Sequence, residues 1–293
     1  MKNIIEINNL KKNFGKVEAL KGISFQVKSG EVVGFIGPNG AGKSTTIRIL
    51  LGIIRSDAGN AQIFGKDVWK ESFEIHKRVS YVPGEVSLWG NLTGGEIIDL
   101  FMKLHGFGDE AKRDYLIERF ELDPRKKAKS YSKGNRQKVG LIAALAVKSD
   151  LYIFDEPTSG LDPLMEQIFQ KEVELLKAAG KSILLSSHIL SEVERLADKV
   201  VIIRNGEIVE AGSLEELRHL TRYKVVLETI GDLNQIKDLS GIYDLSIQDK
   251  QAIFFVEHSQ LNDILKKATQ LEITKLEVNP PTLEDLFIRH YQG

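Results

Sequence analysis

Eight consecutive residues constrain this chain more than any others. Gly37-Pro38-Asn39-Gly40-Ala41-Gly42-Lys43-Ser44 fits the spacing G-x-x-x-x-G-K-[ST], with the apolar run Val32 to Ile36 before it and the helical pattern Thr45 to Leu51 after it. Glycines at these places let successive backbone N–H groups turn inward onto phosphate oxygens, and the helix N-terminus adds a favourable dipole. Gly37, Asn39, Gly40, Ala41, Gly42, Lys43, Ser44 and Thr45 are therefore the candidate nucleotide contacts. Lys43 is expected to reach the β- and γ-phosphates, and Ser44 to ligate Mg²⁺.

The surrounding pattern supplies a matching fold. From Ile4 to about Leu220, short β-rich runs alternate with helical patterns, which predicts an α/β domain with a largely parallel sheet. Strands are expected at Val32 to Ile36, Val79 to Val82, Leu151 to Phe154, Ser182 to Leu185 and Val200 to Ile203. Several are unbroken apolar runs, as central strands covered on both faces require. Ile4, Ile7 and Leu10, then Ile23, Phe25 and Val27, read instead as a half-exposed antiparallel layer, and Asn205-Gly206 as a hairpin turn. Residues from Glu71 to about Ser130 turn helical and charged, with an amphipathic helix at Asp109 to Phe120, so a helical subdomain is expected at about 71–148. After Leu220 the predicted order is β-α-β-β-α-β, a ferredoxin-like α+β arrangement over 221–293. Its helices are expected near Leu233 to Leu239 and at Leu261 to Thr269, with a last helix after Pro280-Pro281.

Two further strand ends carry chemistry. Leu151-Tyr152-Ile153-Phe154-Asp155-Glu156 is an apolar strand ending in paired carboxylates, at the sheet edge that bears the phosphate loop. Asp155 is suited to hold Mg²⁺ directly or through water, and Glu156 to polarise a water for in-line attack on a γ-phosphate. Ser186-Ser187-His188 gives a third polar tip on that edge, where neutral His188 could hydrogen-bond the γ-phosphate or the attacking water. The other five histidines show no ligand spacing.

With Tyr131-Ser132-Lys133-Gly134-Asn135-Arg136-Gln137 lying before the Asp155-Glu156 strand, the first 220 or so residues resemble the ATPase subunits of ATP-binding cassette (ABC) transporters. That segment is similar to the family's L-S-G-G-Q signature, and Ser159-Gly160-Leu161-Asp162 to its D-loop. His188 matches the switch histidine, Phe14 the aromatic stacked on adenine, and Pro83-Gly84-Glu85 stands in the place of the Q-loop. The resemblance implies a cassette over 1–220 that binds and hydrolyses Mg-ATP between two such subunits. Ser132, Gly134 and Asp162 would then face the nucleotide held by the opposite copy, while Lys43, Asp155, Glu156 and His188 act on their own. Tyr131, Lys133 and Asn135 depart from the signature, and Gly84 replaces the usual glutamine. The Y-S-K-G signature, the P-G-E segment and Pro281-Thr282-Leu283-Glu284-Asp285-Leu286-Phe287 resemble the exporter branch whose membrane subunits are separate polypeptides.

Composition narrows the partners. Forty Lys and Arg against 41 Asp and Glu give a net charge of −1, which argues against a dedicated nucleic-acid binder. No cysteine is present, so disulfides, thiol nucleophiles and Cys-ligated metals are excluded. No run approaches the ~18 apolar residues of a membrane span, and Met1 to Leu10 lacks a leader pattern. The partners that the resemblance implies are a second cassette and separate transmembrane permease subunits that hold the chain at the cytoplasmic face of the membrane. Leu88, Trp89, Leu92, Phe101, Met102 and Phe107 could line a docking groove for them. The competing reading is a soluble family ATPase acting on ribosomes or nucleic acid.

Overall fold

The computed structural model describes residues 2–219, 222–231, 233, 236, 241–268, 272–280 and 282–285. Two units divide the chain, Met1–Ala211 and Gly212–Gly293. The division falls before the expected boundary at 220, within the last residues of the hairpin strand that closes the large sheet, so that the helix Leu214–His219 falls in the second unit.

In the first unit, long strands β1 (Asn3–Phe14) and β2 (Val17–Lys28) pair antiparallel, with Ile7 opposite Phe25 and Leu10 opposite Ile23. β4 (Ala58–Ile63) and the short β5 (Lys66–Asp67) extend this layer in the order β2-β1-β4-β5. The second sheet has the order β10-β9-β3-β8-β7-β6. Its strands are β3 (Val32–Ile36), β6 (Val79–Val82), β7 (Leu151–Asp155), β8 (Ser182–Ser187), β9 (Lys199–Arg204) and β10 (Glu207–Ser213). From β9 to β6 every pair is parallel. β3, β7 and β8 are buried at every residue, which is why their sequences carry no alternation. Asn205 and Gly206 take φ of 50° and 79°, the conformation of a two-residue hairpin turn. Between the sheets Ile5, Phe25, Phe35, Ile47 and Ile153 form the core, with the Phe25 and Phe35 rings 5.1 Å apart.

Helix α1 (Lys43–Leu50) follows β3, and the single turn α2 (Ser72–His76) precedes β6. Because β6 pairs with β7 inside the main sheet, the helical layer starts after Val82 and not at Glu71. It comprises α3 (Gly94–His105), α4 (Glu110–Arg119) and α5 (Lys133–Leu145). Each begins at a capping side chain: Thr93 in a reciprocal box with Glu96, Asp109 on Lys112 N–H, and Ser132 on Asn135 N–H. α6 (Pro163–Ala178) and α7 (Leu190–Leu196) complete the unit. Lys112 of α4 reaches the buried Glu172 of α6 at 2.5 Å, tying the helical layer to the core.

The second unit contains α8 (Leu214–His219), β11 (Tyr223–Thr229), β12 (Ile242–Gln248), β13 (Gln251–Val256), α9 (Leu261–Ala268) and β14 (Ile273–Asn279). The sheet order is β12-β13-β11-β14, antiparallel throughout, which is the ferredoxin-like arrangement. Val225, Leu227, Phe254, Val256 and Ile264 fill its core. Most of the helix expected near Leu233 to Leu239, and most of the last helix, lie outside the described residues. Among the described residues no helix is long and apolar enough to cross a membrane.

Candidate functional site

The phosphate loop joins β3 to α1, and its geometry needs glycine at the last bend. Gly42 has φ of 116°, and a Cβ there would meet Leu20 Cδ2 at 2.7 Å and Ala19 O at 2.9 Å. Asn39 and Gly40 are exposed at the tip, Gly37 and Ala41 are buried, and Ser44 and Thr45 are half-buried in the first helical turn. Lys43, 6% exposed, donates from Nζ to Gly37 O at 2.6 Å and Pro38 O at 3.3 Å. The same Nζ stands 3.1 Å from Glu156 Oε1.

Next in the sheet but one, β7 ends in buried Asp155, whose Oδ1 accepts from Ser186 Oγ of β8 at 2.5 Å. Glu156 follows with φ of 50°, a left-handed conformation that costs a non-glycine residue about 1 kcal/mol or more. The bend turns its carboxylate towards Lys43 and His188. Oε1 is an ion-pair partner of Lys43 but receives no well-aligned hydrogen bond. Oε2 accepts from His188 Nδ1–H at 2.5 Å and from His188 N–H at 3.3 Å. An ionised carboxylate can only accept, so this contact fixes the imidazole proton on Nδ1. Lys43 from the start of α1 therefore meets Glu156 and His188 from the ends of β7 and β8.

The remaining expected site residues lie elsewhere on the unit. Phe14, half exposed, ends β1 with Lys12 Nζ 5.5 Å from its ring. Asp162 is exposed and caps α6 by accepting from Leu164 N–H and Met165 N–H, both at 3.1 Å. Ser132 caps α5. A Cβ on Gly134 would come 2.5 Å from Gly160 O, so the backbone of the signature lies directly on the 157–162 segment. Lys133 Nζ donates to Ser159 Oγ at 2.9 Å, and buried Gln137 Nε2 to Pro157 O at 2.9 Å. Among the described residues, none of the signature's side-chain hydrogen bonds reaches residues 37–44.

The departures from the signature and Q-loop patterns have local explanations. Tyr131 fits a buried position because position 94 is glycine, where a Cβ would meet Tyr131 Oη at 2.3 Å; the hydroxyl donates to Asp123 O at 2.6 Å. Burial, then the nearby Asp123 charge, pushes that phenol above its ordinary range. At position 84 a Cβ would lie 3.2 Å from Asp155 O, so the backbone there packs tightly against the end of β7. Glu85 is exposed and lines a groove of about 350 Å³ with Lys129, Lys133 and Arg136.

Four residues of this region carry no assigned role in the sequence reading: Ser186, Gln137, Thr158 and Glu192. Ser186 was signalled by a polar end to an apolar strand. Glu192 sits in the α7 pattern beside apolar Val193 and Leu196, all three buried, yet nothing in the sequence names its partners. Of the docking candidates, Trp89 and Phe101 are exposed with rings 5.9 Å apart, and Phe107 is exposed, whereas Met102 is buried and belongs to the core.

Comparison with known proteins gives the family. Residues 20–159 match the family model described as ABC transporter, and residues 212–291 match that described as ATP-binding protein DrrA1-3-like, C-terminal domain. The linearmycin resistance ATP-binding protein LnrL of Bacillus subtilis is 33% identical, with 97% of each chain covered. The daunorubicin resistance ATP-binding protein DrrA3 of Streptomyces coeruleorubidus is 31% identical over 99% of this chain and 96% of that one. A solved ATP-binding subunit of an ABC transporter superposes with a TM-score of 0.68 at 33% identity, covering 74% of this chain and 92% of that chain. Given such identities over nearly the whole of both chains, this protein belongs to the ABC transporter family as an ATP-binding, ATP-hydrolysing subunit.

Proposed function

We propose that this subunit drives export of a drug- or antibiotic-class compound through separate membrane-embedded permease subunits, which hold it at the cytoplasmic face of the membrane. The observation that carries the reading is the meeting of Lys43, Glu156 and His188 within 2.5–3.1 Å on the sheet edge that bears the phosphate loop. Lys43 supplies charge to the β- and γ-phosphates, and the backbone N–H groups of residues 37–45 cradle them. Glu156 takes the proton of the attacking water, and His188, held by Glu156, orients that water or the γ-phosphate. Phe14 offers its exposed ring to the adenine.

Mg²⁺ fits the donor set. The Ser44 hydroxyl and the Asp155 carboxylate are hard oxygen donors that would hold the ion, and no cage of three His, Cys, Asp or Glu side chains exists among the described residues, as suits an ion that would also bind phosphate and water. A bound Mg²⁺ would neutralise charge developing on the phosphates.

Ser132, Gly134 and Asp162 act in trans, on the nucleotide of a second cassette, copy or homologue. The helix N-terminus at Ser132 favours an anion, and its hydrogen bonds leave the chain's own phosphate loop untouched. Export of resistance-type compounds is supported by what the relatives named above confer. The test is affinity purification of the Glu156→Gln chain with ATP from detergent-solubilised cells. Recovery of a polytopic membrane protein is expected; ribosomal proteins or nucleic acid without a membrane partner would replace this reading with the soluble one.

A further inference from the structure

One buried carboxyl beside this edge has no part in the steps above. Glu192 stands in the first turn of α7 and is 4% exposed. Its Oε2 accepts two hydroxyl hydrogen bonds, from Ser187 Oγ at 2.9 Å and from Thr158 Oγ1 at 3.3 Å. Its Oε1 is buried without a hydrogen-bond partner. Leaving a carboxyl oxygen in that state is costly, and an apolar side chain would fill the space more cheaply if space were all that mattered.

What the two hydroxyls belong to explains the expense. Ser187 ends β8 and immediately precedes His188, and its Oγ also accepts from Ile189 N–H at 3.0 Å, which shapes the turn that carries the imidazole. Thr158 lies two residues beyond Glu156 and opens the segment that runs to Asp162; Leu161 N–H donates back to Thr158 O at 3.0 Å. Next to it, Pro157 O receives Gln137 of the signature helix, and Ser159 Oγ receives Lys133. One carboxylate oxygen thus touches both the switch turn and the segment on which the signature rests. Both hydroxyl residues are nearly inaccessible, Ser187 at 1% and Thr158 at 4%, so in the native fold bulk water does not serve them and Glu192 does.

We propose that Glu192 is a positioning residue for ATP hydrolysis, clamping the Ser187–Ile189 turn to the Pro157–Asp162 segment so that His188 and Glu156 hold their register while the signature side of the same segment engages a second cassette. The inference rests on the proposed reading that Glu156 and His188 form the hydrolytic edge. Burial, above all, holds the Glu192 carboxyl at about 7; the two hydroxyls oppose the rise, and the charges of Glu166 and Glu156 add to it.

The test measures kcat and KM for ATP in the full chain for Glu192→Ala, Glu192→Gln, Ser187→Ala and Thr158→Val, with ATP affinity taken by calorimetry. Two lost hydrogen bonds predict that Glu192→Ala lowers kcat about tenfold or more while KM stays within about twofold. Glutamine retains an acceptor oxygen and should recover most of that loss. Adding Thr158→Val to Glu192→Ala should cost nothing further, because the Thr158 hydroxyl bonds Glu192 and that partner is already gone. A folded Glu192→Ala chain with native kcat, a loss confined to KM, a glutamine variant as slow as alanine, or additive effects would each overturn the clamp. If Glu192→Ala does not fold, Ser187→Ala and Thr158→Val decide: both should lower kcat, and together by less than the product of their separate effects; otherwise the clamp is wrong. Full turnover in Glu156→Gln would instead overturn the hydrolytic reading, and the clamp with it.

Discussion

Replacing Glu192 by glutamine should make the first unit's stability less dependent on pH, and the size of the change follows from the structure. An ordinary glutamate titrates near 4.5, and in the fold this one is held at about 7. Between those values the folded chain keeps a proton that the unfolded chain releases, so the group's contribution to stability is complete below pH 4.5, falls as pH rises, and is lost above about 7. Between pH 5 and pH 8 the native chain therefore loses about 2–3 kcal/mol from this carboxyl alone, which the neutral amide does not lose. At pH 8 the buried, unpaired Oε1 makes that charge hard to relieve. The amide nitrogen of the variant takes that unpartnered place, so its absolute stability carries an offset of about 1–3 kcal/mol. That offset does not vary with pH, and the change in the difference between the two chains is the quantity to read. For a unit of this size about 2–3 kcal/mol corresponds to about 4–12 °C in Tm. Both tryptophans, Trp69 and Trp89, fall in Met1–Ala211, so intrinsic fluorescence follows this unit's transition without the second unit. The Tm of Glu192→Gln minus that of the native chain should rise by that amount from pH 5 to pH 8. Glu156, Glu166, Lys43 and His188 are common to both chains and cancel to first order. A difference that stays flat within about 1 °C, or falls, would refute the argument from burial.

Four other outcomes follow from the geometry. Lys43→Ala should abolish useful ATP affinity, read by calorimetry with Mg·ATP, because the buried ammonium seated on the loop's own carbonyls is removed; unchanged binding would refute its role. Glu156→Gln should keep ATP binding and lower hydrolysis by roughly 10²–10⁴, the size of a general-base effect, in a phosphate-release assay; near-native release would remove Glu156 from that role. Gly84→Gln, which restores the more usual residue, should slow turnover roughly twofold to tenfold and not raise it, because its Cβ would press on Asp155 O at 3.2 Å and shift the Glu156 bend. Tyr131→Phe should lower the fluorescence-detected Tm by about 2–4 °C, since about 1 kcal/mol is lost when the bond to Asp123 O goes; an unchanged Tm would refute this.

The parallel sheet and the phosphate loop were legible because they rest on local pattern: unbroken apolar runs at Val32, Leu151 and Ser182 onward can be covered on both faces only in a central sheet. Strand β4 was not legible. Its residues Ala58 to Ile63 are exposed over the first half, Ala58 to Asn60, and include Gly59 and Asn60, poor strand formers, and it exists because Ile5, Glu6 and Ile7 of β1 pair with Ile63, Gln62 and Ala61. The early start given to the helical layer has the same origin, since Glu71 to Lys77 does contain a turn of helix but β6 is claimed by pairing with β7. At the site, Lys43, Glu156 and His188 could be named from motif order. That Glu156 needs a left-handed backbone to face the other two could not, because φ of 50° at a glutamate is imposed by the surrounding fold.

The contacts between the signature and the 157–162 segment also explain which departures from the family pattern this chain can carry. At Tyr131 the larger ring is accommodated by Gly94 and its hydroxyl is satisfied by Asp123 O. At Lys133 the added side chain runs over Gly160, where a Cβ would sit 3.3 Å from Lys133 Cδ, and its ammonium ends on Ser159 Oγ. Its hydrogen bond is thus spent on the neighbouring segment, joining two pieces of one chain. Asn135 contributes its backbone N–H to the Ser132 cap, a role open to almost any residue. Position 134 differs from all three, because a Cβ there would meet a backbone oxygen, Gly160 O at 2.5 Å, and no side chain can turn aside to admit it. The residue types that changed are those whose side chains have somewhere else to go, and the glycine that remained is the one held between two backbones. Pro157, Ser159 and Gly160 thereby receive the signature on one side while Thr158 is held through Glu192 to the switch turn on the other. A displacement of the signature by a second cassette would therefore be felt at His188 through packed and hydrogen-bonded groups only.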